Sequence, residues 1–224
     1  MDPVKPKRRY DSPRRAGQAR QTRAAVVACA RRLFLRDGFA ATTIAAIAAE
    51  AHVSAETIYK AFGGKPGLVR AICATALAGE GPVPAETRSD ELQAHQPDPR
   101  QIIRGWGQLT IEVAPRIAPI LLLIRSAAAT DHEMAGLRAE MDASRLGRMT
   151  SNARNLAEAG HLRDDITVQD AGEVLWTYSS PELYELLVLN RGWPAERYAT
   201  FIADAMIAAL LPPQPPAHHP SQRP

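Results

Sequence analysis

A short stretch near the N-terminus concentrates side chains that can bind phosphate oxygens. Within TTIAAIAAEAHVSAETIYKAFGGKPGLV, residues 42–69, the chain offers the hydroxyl groups of Thr43, Ser54 and Tyr59 and the ammonium groups of Lys60 and Lys65. Hydroxyl and ammonium groups are the donors that proteins use on the phosphates of nucleic acids. These residue types therefore raise the hypothesis of an anionic polymer as a partner.

Two short helices are predicted to position these side chains. Thr43 is a good N-cap for a first helix with Ile44 and Ile47 on one side, and Ser54 is a good N-cap for a second helix with Ile58 facing inward. Three residues separate the helices. This is the spacing of a helix-turn-helix motif, whose second helix enters the major groove of DNA.

The exposed face of the second helix is predicted to contact DNA. Ala55 can meet a thymine methyl group, and Glu56 can accept a hydrogen bond from cytosine N4. Tyr59 and Lys60 follow one turn later and can reach phosphate oxygens. Lys65 begins the next helix, where an ammonium group and free backbone N–H groups together favour phosphate.

Each of these residues also has a purely structural interpretation. Thr43 and Ser54 would cap helices in any protein, and Tyr59 is compatible with ordinary packing. The helix dipole favours an acid such as Glu56 in a first turn. His52 stands in the turn where the first helix needs a positive φ, a conformation that glycine adopts most easily.

The charge distribution supports an anionic partner at one end of the chain. Residues 1–36 hold eleven Lys and Arg against two Asp, a net charge of +9, whereas residues 37–224 hold 16 basic and 22 acidic side chains, or −6. A basic segment on an acidic body is typical of proteins that bind nucleic acid through one region. The N-terminal arm either enters the minor groove or is only solvated charge.

Periodicity predicts an all-α protein. We expect a disordered basic arm, a helix-turn-helix domain, a linker, a larger helical ligand-binding and dimerisation domain in which Pro115 and Pro119 break or kink a helix, and a disordered Pro-rich tail. The predicted boundaries are 1–19, 20–80, 81–98, 99–211 and 212–224.

Composition excludes several classes of protein. With 46% apolar and 23% charged residues the chain should be globular. The longest fully apolar run, residues 117–124, is too short to span a bilayer, and no signal peptide is visible, so a cytoplasmic protein without a membrane partner is expected. Cys29 and Cys73 lie at apolar helical positions and are interpreted as buried thiols.

Residues 20–72 resemble the DNA-binding domain of the tetracycline-repressor (TetR) family of bacterial regulators. The resemblance rests on LFLRDGF, then TTIAAIAAEAHVSAETIYKAF, then GGKPGLV. It implies that Thr43, Tyr59 and Lys65 contact phosphates. It also implies that the four residues at the start of the second helix contact bases, namely Ser54, Ala55, Glu56 and Thr57. It also implies a homodimer on double-stranded DNA with a palindromic operator, and a small-molecule inducer.

Two functions compete within this interpretation. The first is a repressor released from its operator by a small hydrophobic molecule, and the alternative is a ligand-independent dimeric DNA-binding protein whose C-terminal helices serve only dimerisation. An enzyme is not expected, since the sequence shows no catalytic residues, no metal-ligand spacing and no cofactor-binding loop.

Apolar and aromatic stripes on the helices within 99–178 predict a hydrophobic ligand pocket. Its predicted walls are Trp106, Leu109, Thr110, Val113, Leu122, Met134, Leu137, Met141, Trp176 and Tyr178. The alternative interpretation is that these residues are ordinary core.

The last helices carry more apolar residues than one inward face requires, which predicts a dimer interface. The residues assigned to it are Leu183, Leu186, Leu187, Ile202, Met206 and Leu210.

Overall fold

A computed structural model describes residues 12–79 and 81–213 of the 224-residue chain. The described residues form ten α-helices and one π-helical segment, with no strand among them, which confirms the predicted all-α class. The α-helices are α1 (Ser12–Asp37), α2 (Ile44–Glu50), α3 (Ala55–Phe62), α4 (Lys65–Ala78), α5 (Ala85–His95), α6 (Pro99–Ala127), α7 (His132–Glu158), α8 (Val168–Tyr178), α9 (Pro181–Tyr184) and α10 (Ala195–Leu210). The π-helical segment, Glu185–Leu189, continues α9.

The first helix begins earlier than its apolar pattern indicates. Residues 12–19 were predicted to belong to a disordered arm, but α1 starts at Ser12. Alanine, arginine and glutamine are good helix formers, so a helix held further along by Val26, Ala30 and Phe34 can extend backwards without apolar residues. Residues 1–11 of the predicted arm, and residues 214–224 of the predicted tail, lie outside the described part of the chain.

The predicted linker, residues 81–98, is not an unstructured connection. Residues 85–95 form α5, whose Arg88 donates to Glu112 of α6 at 2.7 Å and whose Asp90 pairs with Arg148 of α7. These tertiary ion pairs stabilise a helix whose own apolar pattern is weak.

Of the break or kink predicted at Pro115 and Pro119, the break does not occur, since α6 runs through both prolines. Each proline removes one backbone hydrogen bond. Buried side chains on both sides of the pair, such as Trp106 and Ile120, hold the helix in place. Burial of these apolar faces outweighs the lost bonds.

Two core clusters organise the fold. The first joins α1–α4 to the C-terminal half of α6 and the start of α7, for example through Ile47, Leu68, Ile120 and Met134. The second joins the N-terminal half of α6 to α8, α9 and α10. Within the described residues, α6 alone has the length and apolar composition of a membrane span. It packs against α1, α4, α5, α7, α9 and α10, and is the central core helix.

Candidate nucleic-acid interface

The two helices of the motif are capped as predicted. Thr43 is the N-cap of α2, and its hydroxyl accepts a hydrogen bond from the backbone N–H of Ala46 at 3.1 Å. Ser54 is the N-cap of α3, and its hydroxyl accepts from the N–H of Thr57 at 3.1 Å and lies 2.9 Å from the Thr57 hydroxyl. These local bonds fix where each helix begins.

The turn between the helices depends on one residue in the left-handed region. His52 has φ 54°, and no other non-glycine residue of the described chain has a positive φ. The chain reverses there, and the N–H of Val53 donates to the carbonyl of Ala48 at 3.0 Å. The prediction of a positive φ in this turn is confirmed.

One face of α3 is buried and the other is open. Ile58 is fully buried and fixes the helix to the core, whereas Ser54, Glu56, Thr57 and Lys60 are exposed and Ala55 is half-buried.

Tyr59 lies on the open face, with 56% of its surface exposed. The interpretation of Tyr59 as a packed core aromatic is therefore wrong. The open face of α3 presents one carboxylate, hydroxyl groups and one ammonium group to a partner.

Lys65 lies in a different environment from the other predicted contacts. Its ammonium group donates to the carbonyl of Phe39 at 2.6 Å and to the carbonyl of Thr42 at 3.1 Å, and lies 4.2 Å from the centre of the Phe39 ring. Two of its three N–H groups thus bind the loop before α2. The third N–H takes no part in these two hydrogen bonds.

Comparison with known proteins places this motif in a family. Residues 26–72 match the model for bacterial regulatory proteins of the tetR family. Residues 26–72 thus have the sequence of a tetR-family DNA-binding domain. Proteins of this family are DNA-binding transcriptional regulators. A search of curated proteins finds no match to the chain.

Solved structures show the same fold over 85–87% of the chain. SmeT in complex with triclosan is 18% identical, with a TM-score of 0.67 over 87% of this chain and 98% of that one. NalD, the secondary repressor of the MexAB-OprM multidrug efflux pump in Pseudomonas aeruginosa, is 17% identical, with a TM-score of 0.66 over 87% and 98%. GusR of Salmonella enterica is 15% identical, with a TM-score of 0.60 over 85% and 95%.

An arginine that sequence reasoning missed attaches α1 to α3. Arg23 donates to the carbonyl of Ala61 at 3.0 Å, and its guanidinium lies 4.2 Å from the centre of the Phe62 ring. Its partners are almost forty positions away in sequence, so no local pattern could have indicated the contact.

Two further contacts link the DNA-binding helices to the C-terminal helices. Arg31 of α1 donates to the carbonyl of Arg116 at 3.2 Å, and Arg70 of α4 pairs with Glu140 of α7 at 2.5 Å. The hydrogen bond from Arg70 holds the pKa of Glu140 below its usual value. These contacts join the two regions in addition to their shared core cluster.

The predicted ligand-contact residues are divided between the two core clusters. Met134 and Leu137 lie in the first cluster, with Val113 and Met141 packed against it, and Trp106 lies in the second.

The remaining predicted ligand contacts are closer to the second cluster or half-buried elsewhere. Leu109 and Tyr178 pack against the second cluster, while Thr110, Leu122 and Trp176 are half-buried. The structure does not bring all ten residues around one space. Burial nevertheless leaves the indole N–H groups of Trp106 and Trp176 without a hydrogen-bond partner among the described residues.

The predicted interface residues are also divided. Ile202, Met206 and Leu210 are buried inside the chain, in the second cluster, so their side chains are core and the prediction that they face a partner is wrong. Leu183 and Leu187 are half-buried against the same cluster.

Leu186 is 54% exposed, and Leu189 and Phe201, which the sequence prediction did not include, are exposed as well. Periodicity identifies the apolar stripes of a helix, but it does not say which stripe packs against the core of the same chain.

Proposed function

We propose that this protein is a dimeric transcriptional repressor that binds a palindromic operator through α3 and is released by a small hydrophobic molecule. The observation that carries the proposal is the open face of α3, held by the buried Ile58 and by two capped helix starts. A tetR-family regulator acts on chromosomal DNA, so we place it in the cytoplasm.

The proposed DNA contacts divide by chemistry. Side chains at the start of α3 contact bases, and hydroxyl or ammonium groups at the motif's edges contact phosphates. The base contacts are Ser54, Ala55, Glu56 and Thr57, and the phosphate contacts are Thr43, Tyr59, Lys60 and Lys65.

Dimerisation follows from the small size of one α3. A single eight-residue helix makes too few contacts for specific binding, so two half-sites about 34–36 Å apart, or a multiple of that, are needed. The exposed Leu186, Leu189 and Phe201 of the last helices supply an outer apolar surface for a second copy.

Ligand response is supported by the shared core. Ile120 and Met134 of the C-terminal region pack in the same cluster as Ile47 and Leu68 of the DNA-binding region, so a shift of α6 or α7 displaces the motif.

The unpartnered indole groups of Trp106 and Trp176 favour a hydrophobic ligand with a hydrogen-bond acceptor, because a buried donor without a partner is costly. Release requires that the ligand prefer the conformation whose α3 spacing no longer matches the operator.

Selection from random duplexes tests the DNA-binding part. The wild-type protein should enrich one palindromic sequence and sediment as a dimer. Leu186→Glu with Phe201→Glu should yield monomers, whereas Leu77→Glu, an equally exposed leucine on α4, should leave the dimer intact. Enrichment of no sequence, or a monomeric mass with and without the operator, would contradict the proposal.

Release from the selected operator separates the two hypotheses. Hydrophobic compounds with a hydrogen-bond acceptor, with triclosan as a first probe, are titrated into the complex while fluorescence anisotropy is followed. Release by any of them, abolished by Trp106→Phe or Trp176→Phe, supports the repressor with an inducer. Failure of the whole set to release favours the ligand-independent alternative.

A further inference from the structure

One buried side chain of α7 carries a polar atom without a partner. Asn152 is 4% exposed, and its side-chain oxygen Oδ1 has no hydrogen-bond partner among the described residues. The other two polar residues that are buried in the described chain, Thr42 and Ser89, have hydroxyl groups with partners. An unpaired buried carbonyl oxygen destabilises a folded protein, and native structures contain few of them. The position of Asn152 therefore requires an explanation.

Asn152 lies where α7 meets α5. Its backbone carbonyl accepts a hydrogen bond from the Gln93 amide of α5 at 3.2 Å. One turn earlier on α7, the Arg148 guanidinium donates to the Ser89 hydroxyl of α5, also at 3.2 Å. We call this contact the α5–α7 seam, formed by residues 86–93 of α5 and 148–155 of α7.

Core packing does not account for the amide. Next to Asn152 on α7, Ala153 and Leu156 are buried in the second core cluster, which also contains Trp106. The one large apolar residue of α5, Leu92, packs against the same cluster. An apolar side chain at position 152 would suit these neighbours without leaving an unpaired oxygen. The amide thus fits a polar partner that comes from outside the chain.

The seam can open without unfolding either helix. The helix α5 packs against α4 and α6, whereas its described hydrogen bonds to α7 use the side chains of Gln93, Arg148 and Asn155. These side chains can rotate away while both helices keep their backbone hydrogen bonds. A small molecule can thus reach Asn152 between the two helices.

We propose that Asn152 is a ligand-specificity residue, whose Oδ1 accepts a hydrogen bond from a hydroxyl group of the small molecule bound at the α5–α7 seam. The proposal rests on the proposed ligand response and narrows its ligand class to hydrophobic molecules that carry a hydroxyl group. The apolar body of such a molecule packs against the second core cluster, and its O–H donates to Asn152. A molecule without the donor leaves the buried oxygen unpaired, and this difference produces the specificity.

The test compares molecules that differ in this donor. Phenols of increasing size, from butylphenol and naphthol to triclosan, are titrated into the full-length protein without DNA, each beside its own methyl ether. Calorimetry gives the two Kd values. The ether keeps the apolar body and an oxygen that accepts hydrogen bonds, but it has no hydrogen to donate. We expect phenols of the series to bind about tenfold more tightly than their ethers.

Two variants remove the proposed acceptor. Asn152→Leu keeps the number and branching of the side-chain heavy atoms, and Asn152→Ala provides a smaller replacement in case leucine does not fit. The ratio of the two Kd values should fall to about one in both, because neither variant offers the oxygen. Circular dichroism melting curves establish that each variant is folded.

Asn155→Leu is the matched control. Asn155 is exposed one turn further along α7 and donates to Gln93 at 3.2 Å, so this change removes an amide and a seam contact but leaves Asn152 in place. The preference for phenols should remain. An equal loss of preference in Asn155→Leu would overturn the proposal, because the geometry of the seam would then explain the effect.

The outcomes separate this inference from the proposed function. If no phenol of the series binds more tightly than its ether, or if the preference survives in a folded Asn152 variant, the assignment of Asn152 is overturned. Release of the operator by the same compounds without any preference for phenols would leave the proposed function standing and this inference refuted. Conversely, phenols that bind the free protein through Asn152 but never release the operator would support the assignment and contradict the proposed inducer response.

Discussion

Replacing Lys65 with methionine separates a structural role from a DNA-binding role. The ammonium group donates to the carbonyls of Phe39 and Thr42 at 2.6 and 3.1 Å and lies 4.2 Å from the Phe39 ring centre. Methionine keeps the aliphatic part of the side chain and removes the charge. The change therefore tests the ammonium group itself rather than packing.

The magnitude follows from those contacts. A hydrogen bond from a charged donor contributes about 1.5–3 kcal/mol, and an exposed cation–π contact about 0.5–1 kcal/mol. Since Lys65 is half-buried, we expect Lys65→Met to lower the free energy of unfolding by about 2–4 kcal/mol. For a domain of this size, Tm should fall by about 4–16 °C.

The remaining N–H group of Lys65 is predicted to contact a phosphate. Lys65→Met should then lower the slope of log affinity against log salt by about 0.9 per half-site. Binding is measured by anisotropy well below Tm, after titration of the active fraction, so that unfolded protein does not mimic a loss of affinity. Chemical denaturation gives the change in stability separately.

Lys60→Met is the matched control. Lys60 is exposed on α3, so its replacement should lower the salt slope similarly and leave Tm within about 1–2 °C of the wild type. If Lys65→Met lowers Tm but leaves the slope unchanged, Lys65 only anchors the loop and its phosphate role is wrong. An unchanged Tm would refute the stabilising role of the two carbonyl contacts.

Four other changes test separate parts of the molecule. Glu56→Ala should alter the preferred base at one operator position in a selection experiment; an unchanged operator would leave Glu56 only its interaction with the helix dipole. His52→Gly should keep DNA binding and raise the free energy of unfolding by up to about 1 kcal/mol, because glycine adopts a φ of 54° without steric cost. A loss of binding would instead make His52 a contact residue. Burial raises the pKa of Tyr198 to about 12. The protonated Tyr198 hydroxyl therefore makes its full contribution to stability below about pH 10. The free energy of unfolding should fall as pH rises from about 10 toward 12, by at most about 1.4 kcal/mol per pH unit. Tyr198→Phe should lack this loss in alkaline denaturation curves, and parallel curves for both proteins would contradict it. Ligands that release the operator should change tryptophan emission, and Trp106→Phe should remove part of that change; emission that stays constant on release would place the ligand elsewhere.

Local sequence signals determined the DNA-binding motif. The side chains of Thr43 and Ser54 cap the helices that follow them, and the positive φ of His52 lies in the turn between α2 and α3. Capping, turn formation and helical periodicity act over three or four residues, so the sequence alone specifies them. The exposed start of α3 follows from the same short-range pattern.

Long-range packing decided the remaining features. Lys65 binds carbonyls 23 and 26 positions away, and Arg23 binds a carbonyl 38 positions away, so their partners become visible only in the folded chain. The helix α6 continues through Pro115 and Pro119 because its neighbours bury both of its halves. Helical propensity alone predicts a break there.

The division between core and interface also required the tertiary structure. Ile202 and Leu186 are both apolar residues of the last helices, yet the first is 1% exposed and the second 54%. An apolar stripe shows that a face must be covered, but the sequence does not say whether the same chain or another copy covers it. That choice depends on how α6, α8 and α10 pack around one another, which is a property of the whole fold.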